Sequence, residues 1–432
     1  MHENDWEQIA SAIPGPKTRA LIPGLEAHES QNVTFVSEAF PVFWESAIGA
    51  TVTDVDGNRY LDLTSAFGVA NVGHSNPHVV AAIAAQAAQL MHGMGDVHPT
   101  AIRTRLLERL SALLPPGLTK AFLATTGAEA VEAALKTAMI ATGKSRFVTY
   151  RDAYHGLSLG ALAVSGIEKF RAPFAGLIAD RTLLLDYPRA ERDDVEQALA
   201  IARTLLEAHD DLAALIIEPI QGRGGCVVPP GGYLAGLRDL CTELGILLIF
   251  DEIYTGFGRT GDWFAAQHDN ITPDIICIGK AMGGGFPISA AVARAAVMDA
   301  WPRSTGEALH TSTYLGNPMG CAAALATIEE LERLALPALA REIGAFLHDR
   351  LATLLRHACV TTIRGRGAMW GIELASGAVA ERVVTQLLAS GVIALQAGPL
   401  GEVLSLTPPL MISNAQLART IDLLDTALSQ EA

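Results

Sequence analysis

Between residues 77 and 300, apolar runs of strand length alternate with stretches of helical periodicity. The runs fall at 121–125, 146–150, 182–185, 212–217, 246–250, 275–278 and 288–292. Helical patterns occupy 77–90, 100–114, 128–142, 193–208 and 231–244. A strand that is apolar along its whole length has no face to offer to water. It must be covered on both sides, and helical crossovers between strands supply that cover. The pattern therefore predicts an α/β fold built on a mostly parallel sheet flanked by helices. Upstream, residues 1 to about 60 read as irregular, with Pro14, Pro16, Pro23 and Pro41. They end in a predicted hairpin, 50–55 and 59–63, about the turn Asp56-Gly57. After about 320 the pattern changes to long Ala/Leu-rich helices at 318–334 and 337–358. Short strands at 369–374 and 403–406 and helices at 378–390 and 414–429 complete a smaller α+β unit.

A chain of 432 residues can bury a large core and divides naturally into a large and a small domain. Half of its residues are hydrophobic, yet the longest apolar stretches are interrupted by Glu218, Asp251 or Lys280, well short of a membrane span. The formal net charge of −15 disfavours nucleic acid and anionic membrane as partners. It leaves open a small anion held in a local pocket. The first six residues lack an apolar segment, which points to a cytoplasmic protein. Five scattered cysteines (Cys226, Cys241, Cys277, Cys321, Cys359) have no Cys-x-x-Cys spacing and read as buried thiols, not as metal ligands or disulfides.

Chemistry concentrates where the apolar runs stop. Lys280 follows the run 275–278 and precedes a glycine-rich segment. A partly dry setting lowers a lysine's pKa and frees its amine to attack carbonyls. Asp251 ends the preceding run, 29 residues earlier, a separation that fits one step of a parallel sheet. Both side chains then lie at one sheet edge, where ligands of such folds bind. Asp251 alone could be a helix cap, and Lys280 alone a surface residue. The adjacent Glu252 adds repulsion that calls for a nearby cation. Thr126 to Glu129 lie between a strand and a helix, where unpaired amides and the helix dipole favour an anion. Gly127 lets a phosphate come close. Tyr154, in the segment YHG at 154–156, can stack on a flat cofactor or simply pack. A buried carboxylate beside a Schiff-base lysine is what pyridoxal phosphate requires.

Together these segments resemble the class III (subgroup II) aminotransferases, pyridoxal phosphate enzymes of fold type I. The matching segments are DGNRYLD at 56–62, TGAEA at 126–130, YHG at 154–156, EPIQG at 218–222 and DEIYTGFGRTG at 251–261. Further matches are GK at 279–280, HTSTYLGNP at 310–318 and RGRG at 364–367. They run in family order from about residue 33 to 413. The resemblance implies a large domain at 61–322 with a seven-stranded, mostly parallel sheet. Residues 323–432 would form the small domain, joined by residues 1–60. It implies that Lys280 holds the cofactor and shuttles a proton, and that Asp251 keeps the ring nitrogen protonated. Gly127 and Ala128 would cup the phosphate. Thr313 would complete that cup from a partner subunit, making the active unit a homodimer. Tyr154 would stack on the ring, with His155 and Tyr254 also at the cofactor. Glu218 would stand on the substrate side, where many relatives pair it with a substrate-binding arginine.

Three positions depart from the pattern. Tyr254 replaces a glutamine that commonly meets the cofactor. Its hydroxyl could donate in the same place, or its bulk could reshape the pocket. Leu157 and Ser405 stand where the 4-aminobutyrate and ornithine enzymes usually place arginines. An arginine grips a carboxylate through charge-assisted hydrogen bonds worth about 1.5–3 kcal/mol each. Their absence argues against 4-aminobutyrate, ornithine or acetylornithine as donor. It favours an ω-amine, an amino sugar or a hydrophobic amino acid. Phe67, Trp44 and Trp263 are candidate pocket aromatics or core residues. Arg366 and Arg259 are candidate partners for an oxo-acid acceptor, and Arg259 reads better as structural. The expected reaction is amino transfer to an oxo acid. The alternative is an amino-acid epimerase or aminomutase using the same Lys280 and Asp251.

Overall fold

The computed structural model describes residues 6–178 and 181–431. Three strands, β1 (Trp44–Ile48), β2 (Thr51–Asp54) and β3 (Arg59–Asp62), form an antiparallel meander. The central sheet follows: β4 (Leu118–Ala124), β5 (Arg146–Tyr150), β6 (Thr182–Leu185), β7 (Leu212–Ile217), β8 (Leu247–Asp251), β9 (Ile275–Ile278) and β10 (Ser289–Arg294). The C-terminal strands are β11 (Val360–Arg366), β12 (Met369–Leu374), β13 (Val392–Ile393), β14 (Leu395–Ala397) and β15 (Val403–Leu406).

The central sheet has seven strands in the order β4-β10-β9-β8-β7-β5-β6. Only β10 runs against its neighbours β4 and β9; the other pairings are parallel. β7 and β9 are buried at every residue, which is why they lack alternation in the sequence. One face carries the helix Gly127–Thr142, whose alanines fit tightly against β9 and β10. The other face carries the large core cluster, joined by the helices Val195–Glu207 and Tyr233–Leu244 and by the long helix Pro318–Arg333. The predicted α/β architecture is therefore the observed one.

The C-terminal strands form an antiparallel sheet, β11-β12-β15-β14, packed with the helices Leu336–Ala352, Gly377–Ala389 and Asn414–Ser429. β13 pairs parallel with β3, so the N-terminal meander and the C-terminal region share one four-stranded sheet.

Two parts of the sequence reading need correction. The N-terminal region is not irregular, because residues 16–28 form a helix and residues 44–48 a strand. Pro23 and Gly24 inside that helix obscured it, since both disfavour helix interiors. Its first turn is held from a distance: the Asp56 carboxylate, at the hairpin turn, accepts the amides of Lys17 (2.7 Å) and Thr18 (2.9 Å). β11 was also missed. Its late glycine and two arginines do not look like a strand, but it pairs with β12 along most of its length.

Candidate functional site

Five strand ends converge on one edge of the central sheet. β4 leads to Gly127, β5 to Tyr154 and His155, β7 directly to Glu218, β8 ends on Asp251, and β9 is followed by Lys280. The sequence-predicted groups are thus brought together by parallel topology, at the edge where open α/β sheets bind ligands.

Lys280 is partly buried and sits in the left-handed region, with φ 43°. Such a conformation is costly for a residue with a side chain and persists only where surrounding structure enforces it. Gly279 and Gly284 flank the tight turn that imposes it. The Lys280 Nζ lies 3.9 Å from the centroid of the Tyr254 ring. Burial pulls the amine below its ordinary pKa, while the charges of Asp251 and Glu218 act the other way. The amine is therefore drier and more often neutral than an exposed lysine.

Asp251 is buried, and its Oδ2 lies 2.7 Å from His155 Nδ1. Its Oδ1 accepts the Ile253 amide at 3.1 Å. His155 Nε2 meets Thr149 Oγ1 at 3.2 Å, so a donor hydroxyl there leaves Nδ1–H free to donate to Asp251. The cation expected near Asp251 and Glu252 is resolved differently for each carboxylate. Asp251 has the imidazole. Glu252 turns away and accepts the amides of Ala265 and Ala266, both at 2.7 Å, and the Thr255 hydroxyl at 2.8 Å.

At the helix Gly127–Thr142, Thr126 and Glu129 form a capping box. Glu129 takes the amides of Thr125 and Thr126, and Thr126 takes that of Glu129. The amides of Gly127 and Ala128 have no capping partner among the described residues. Ile253 forms a wall beside them: a Cβ on Gly127 would lie 2.9 Å from Ile253 Cδ1, and one on Gly279 3.5 Å from its Cγ2. The sequence reading passed over Ile253, which carries no chemistry of its own.

Glu218 is buried; its Oε1 accepts the Tyr154 amide at 2.9 Å and its Oε2 the Gly222 amide at 3.0 Å. Burial pushes its carboxyl up to about 7. Tyr154 itself is half-buried, edge-on to Phe170 at 6.1 Å. The Tyr254 hydroxyl lies 3.0 Å from Thr407 Oγ1, so its polar end faces β15 and its ring forms a floor under Lys280. Ser405 is buried 3.5 Å from Cys226 Sγ.

The remaining candidates separate. Arg259 is fully buried and donates to the carbonyls of Ala368 (3.0 Å) and Pro408 (2.6 Å), to Ser65 Oγ (3.1 Å) and to Asn71. It is a structural strut with no fork left for a substrate. Arg366 is exposed, close enough to His268 to act on that imidazole. Trp263 packs against the main core. Trp44 is 42% exposed and edge-on to His74. Phe67 and Leu157 are exposed. Phe67 belongs to a left-handed turn in which Ser65, Ala66, Phe67 and Gly68 all have positive φ. Thr313 is exposed, in a largely exposed segment with Leu309 and Tyr314. Among the described residues no helix is long and apolar enough to cross a membrane.

The family model "Aminotransferase class-III" matches residues 34–428. The chain is 38% identical to the acetylornithine aminotransferase of Methanosarcina mazei, covering 90% of this chain and 92% of that protein. It is also 38% identical to the 4-aminobutyrate aminotransferase of Mycobacterium leprae, covering 98% of each. Among solved structures, a PLP-bound amine transaminase from an uncultivated Pseudomonas species superposes with a TM-score of 0.87 at 30% identity. That match covers 93% of this chain and 98% of the other. These names give no support to excluding acetylornithine or 4-aminobutyrate as donors.

Proposed function

The chain belongs to the class III aminotransferases, and on that premise we propose that it moves an amino group from an amine or amino-acid donor to an oxo acid at the edge built by Lys280, Asp251 and Gly127. It is a pyridoxal-phosphate-dependent transaminase. An epimerase or aminomutase reading draws no support from these relatives.

The residues fit the cofactor. The two unpartnered amides of Gly127 and Ala128 suit a phosphate at a helix terminus. Asp251, held by His155, suits a ring nitrogen that must stay protonated. Ile253 and Tyr154 suit the faces of a flat ring. When bound, pyridoxal phosphate supplies an aldehyde for amine capture and an electron-withdrawing ring that stabilises negative charge at the substrate's Cα.

This chain's own residues do the rest. Lys280 Nζ would hold the cofactor and move the proton at the substrate's Cα, a role favoured by its lowered pKa. Tyr254 closes the floor beneath that amine and keeps water from it. Glu218 fixes the backbone of Tyr154 and Gly222 on the substrate side. Ser405 and Leu157 leave the donor's far end without an arginine clamp at those two positions, which supports a donor held by apolar and neutral contacts. The exposed Thr313 supports its assignment to a partner's phosphate site in a homodimer, with the large domain at 61–322 and the small domain at 323–432.

The single observation that carries the reading is the adjacency of Asp251 and Lys280 on neighbouring strand ends, β8 and β9. The test is a half-reaction. Holoenzyme is mixed with a donor panel and no acceptor, and the cofactor's spectrum is followed. Conversion to the amine form with release of a carbonyl product is expected. Racemised or rearranged donor with no carbonyl released would overturn transfer. Lys280→Ala should remain folded and lose turnover.

A further inference from the structure

An oxo acid brings a carboxylate into this site, and some cation must receive it. The arginines around the site are mostly committed. Arg259 is buried among four acceptors. Arg364 is buried against Glu373 and the Gly225 carbonyl. Arg189 pairs with Glu373 and Arg151 with Asp186. Arg223 differs. Its guanidinium makes one contact, Nη1 to the Gln396 carbonyl at 3.4 Å, and it forms no ion pair among the described residues.

Its backbone is fixed while its side chain is free. Gly222 is tied to Glu218 through its amide, and the Arg223 carbonyl accepts the Gly398 amide at 2.9 Å. Glycines flank it at 222 and 224, so neither chain neighbour carries a side chain that would crowd it. At Gly222 a Cβ would collide with the Tyr254 ring at 2.3 Å, so this turn lies directly against the floor beneath Lys280. Arg223 is also near enough to Tyr154 to be felt there: burial raises that phenol, and the positive charge of Arg223 opposes the rise.

We propose that Arg223 is the specificity-determining cation of this enzyme, swinging from the Gln396 carbonyl to grip the carboxylate of the oxo-acid acceptor. The proposal rests on the transaminase reading. The guanidinium exchanges one long contact with a neutral carbonyl for a planar, bidentate, charge-assisted pair. Apolar amines need no such partner, so one site can take an uncharged donor and an acidic acceptor in turn. Placing the cation at 223 also accounts for how the chain works with serine at 405 and leucine at 157.

The test uses holoenzyme of wild type, Arg223→Gln and Arg223→Lys. Pyruvate is the acceptor, with any donor that the half-reaction panel identifies. Losing the charge-assisted pair should raise the KM for pyruvate in R223Q roughly 10- to 100-fold, with kcat changed far less. R223K should recover part of the loss, because it keeps the charge without the fork. Separately, calorimetric titration with propionate, which does not react, should show a similar weakening in R223Q. Titration with propionamide should be equal in the two proteins. Equal propionate affinity in wild type and R223Q would overturn the assignment, as would an equal loss for propionamide. If wild type turned over no donor, the transaminase reading would fall, while the propionate titration would still decide whether Arg223 binds carboxylate.

Discussion

His155 offers the sharpest quantitative handle on the site. It is buried, and its Nδ1 lies 2.7 Å from Asp251 Oδ2. Asp251 otherwise receives one backbone amide, from Ile253. A hydrogen bond to a charged group contributes about 1.5–3 kcal/mol. Replacing His155 with phenylalanine keeps the ring's bulk and removes the donor. An equilibrium that depends on the Asp251 charge then weakens by the same energy, about 10- to 150-fold at 1.4 kcal/mol per tenfold change. Cofactor binding is such an equilibrium, because the ring nitrogen keeps its proton only opposite a carboxylate. The assay is fluorescence titration of cofactor-free protein with pyridoxal phosphate, for wild type, His155→Phe and His155→Asn. H155F should bind about 10- to 150-fold more weakly, and H155N, which retains an N–H, should fall between. An H155F protein that is folded and binds with wild-type affinity would refute the claim that the imidazole's hydrogen bond to Asp251 supports cofactor binding.

Three further outcomes are expected. Burial places Glu218 at about 7 when folded, above the ordinary carboxyl at 4.5, so between those values the folded chain holds a proton that the unfolded chain has released. Stability of the cofactor-free protein should therefore fall as pH rises through that window. Glu218→Gln should lessen the fall in thermal scans from pH 5 to 8, leaving the share of Glu252, which burial also pushes up to about 7, and an unchanged slope would count against it. Gly222→Ala drives a Cβ to 2.3 Å from the Tyr254 ring, which should cost about 1–3 kcal/mol and lower turnover by disturbing the floor under Lys280. Unaltered melting and turnover would show that the ring yields. Phe67→Gly relieves a left-handed residue at φ 64° while giving up an exposed side chain, so it should stabilise the fold by about 1 kcal/mol. A lower melting temperature would mean that Phe67 packs more than its exposure indicates.

The sheet and its chemically loaded edge were legible because burial on both faces leaves a plain mark. β7 and β9 are unbroken apolar runs and β8 is apolar up to Asp251, so Asp251 and Lys280 are conspicuous where such runs end. Motif order then fixed the family. What escaped the sequence depended on contacts between distant residues. The helix at 16–28 carries a proline and a glycine and is capped by Asp56 some forty positions on. β11 reads as a loop until β12 is beside it. Glu252 looked like a charge in need of a cation, but three N–H and O–H donors satisfy it. Arg223 was indistinguishable in sequence from other arginines. Its distinction lies in its place, next to the glycine that packs on the Tyr254 ring, combined with a guanidinium that has no carboxylate partner among the described residues.

The pairing of β3 with β13 has a consequence for how the protein is made. Leu61 donates to the Gly391 carbonyl and Leu63 to that of Ile393, both at 2.9 Å, and Thr407 returns a bond to Leu63 at 2.7 Å. During synthesis the meander emerges from the ribosome early, and its partner strand arrives only after some 330 further residues. At roughly 5–20 residues per second the nascent meander waits on the order of tens of seconds with one edge unpaired. An unpaired strand edge is a template for pairing with another chain, so truncation before residue 392 should leave a chain prone to self-association through β3.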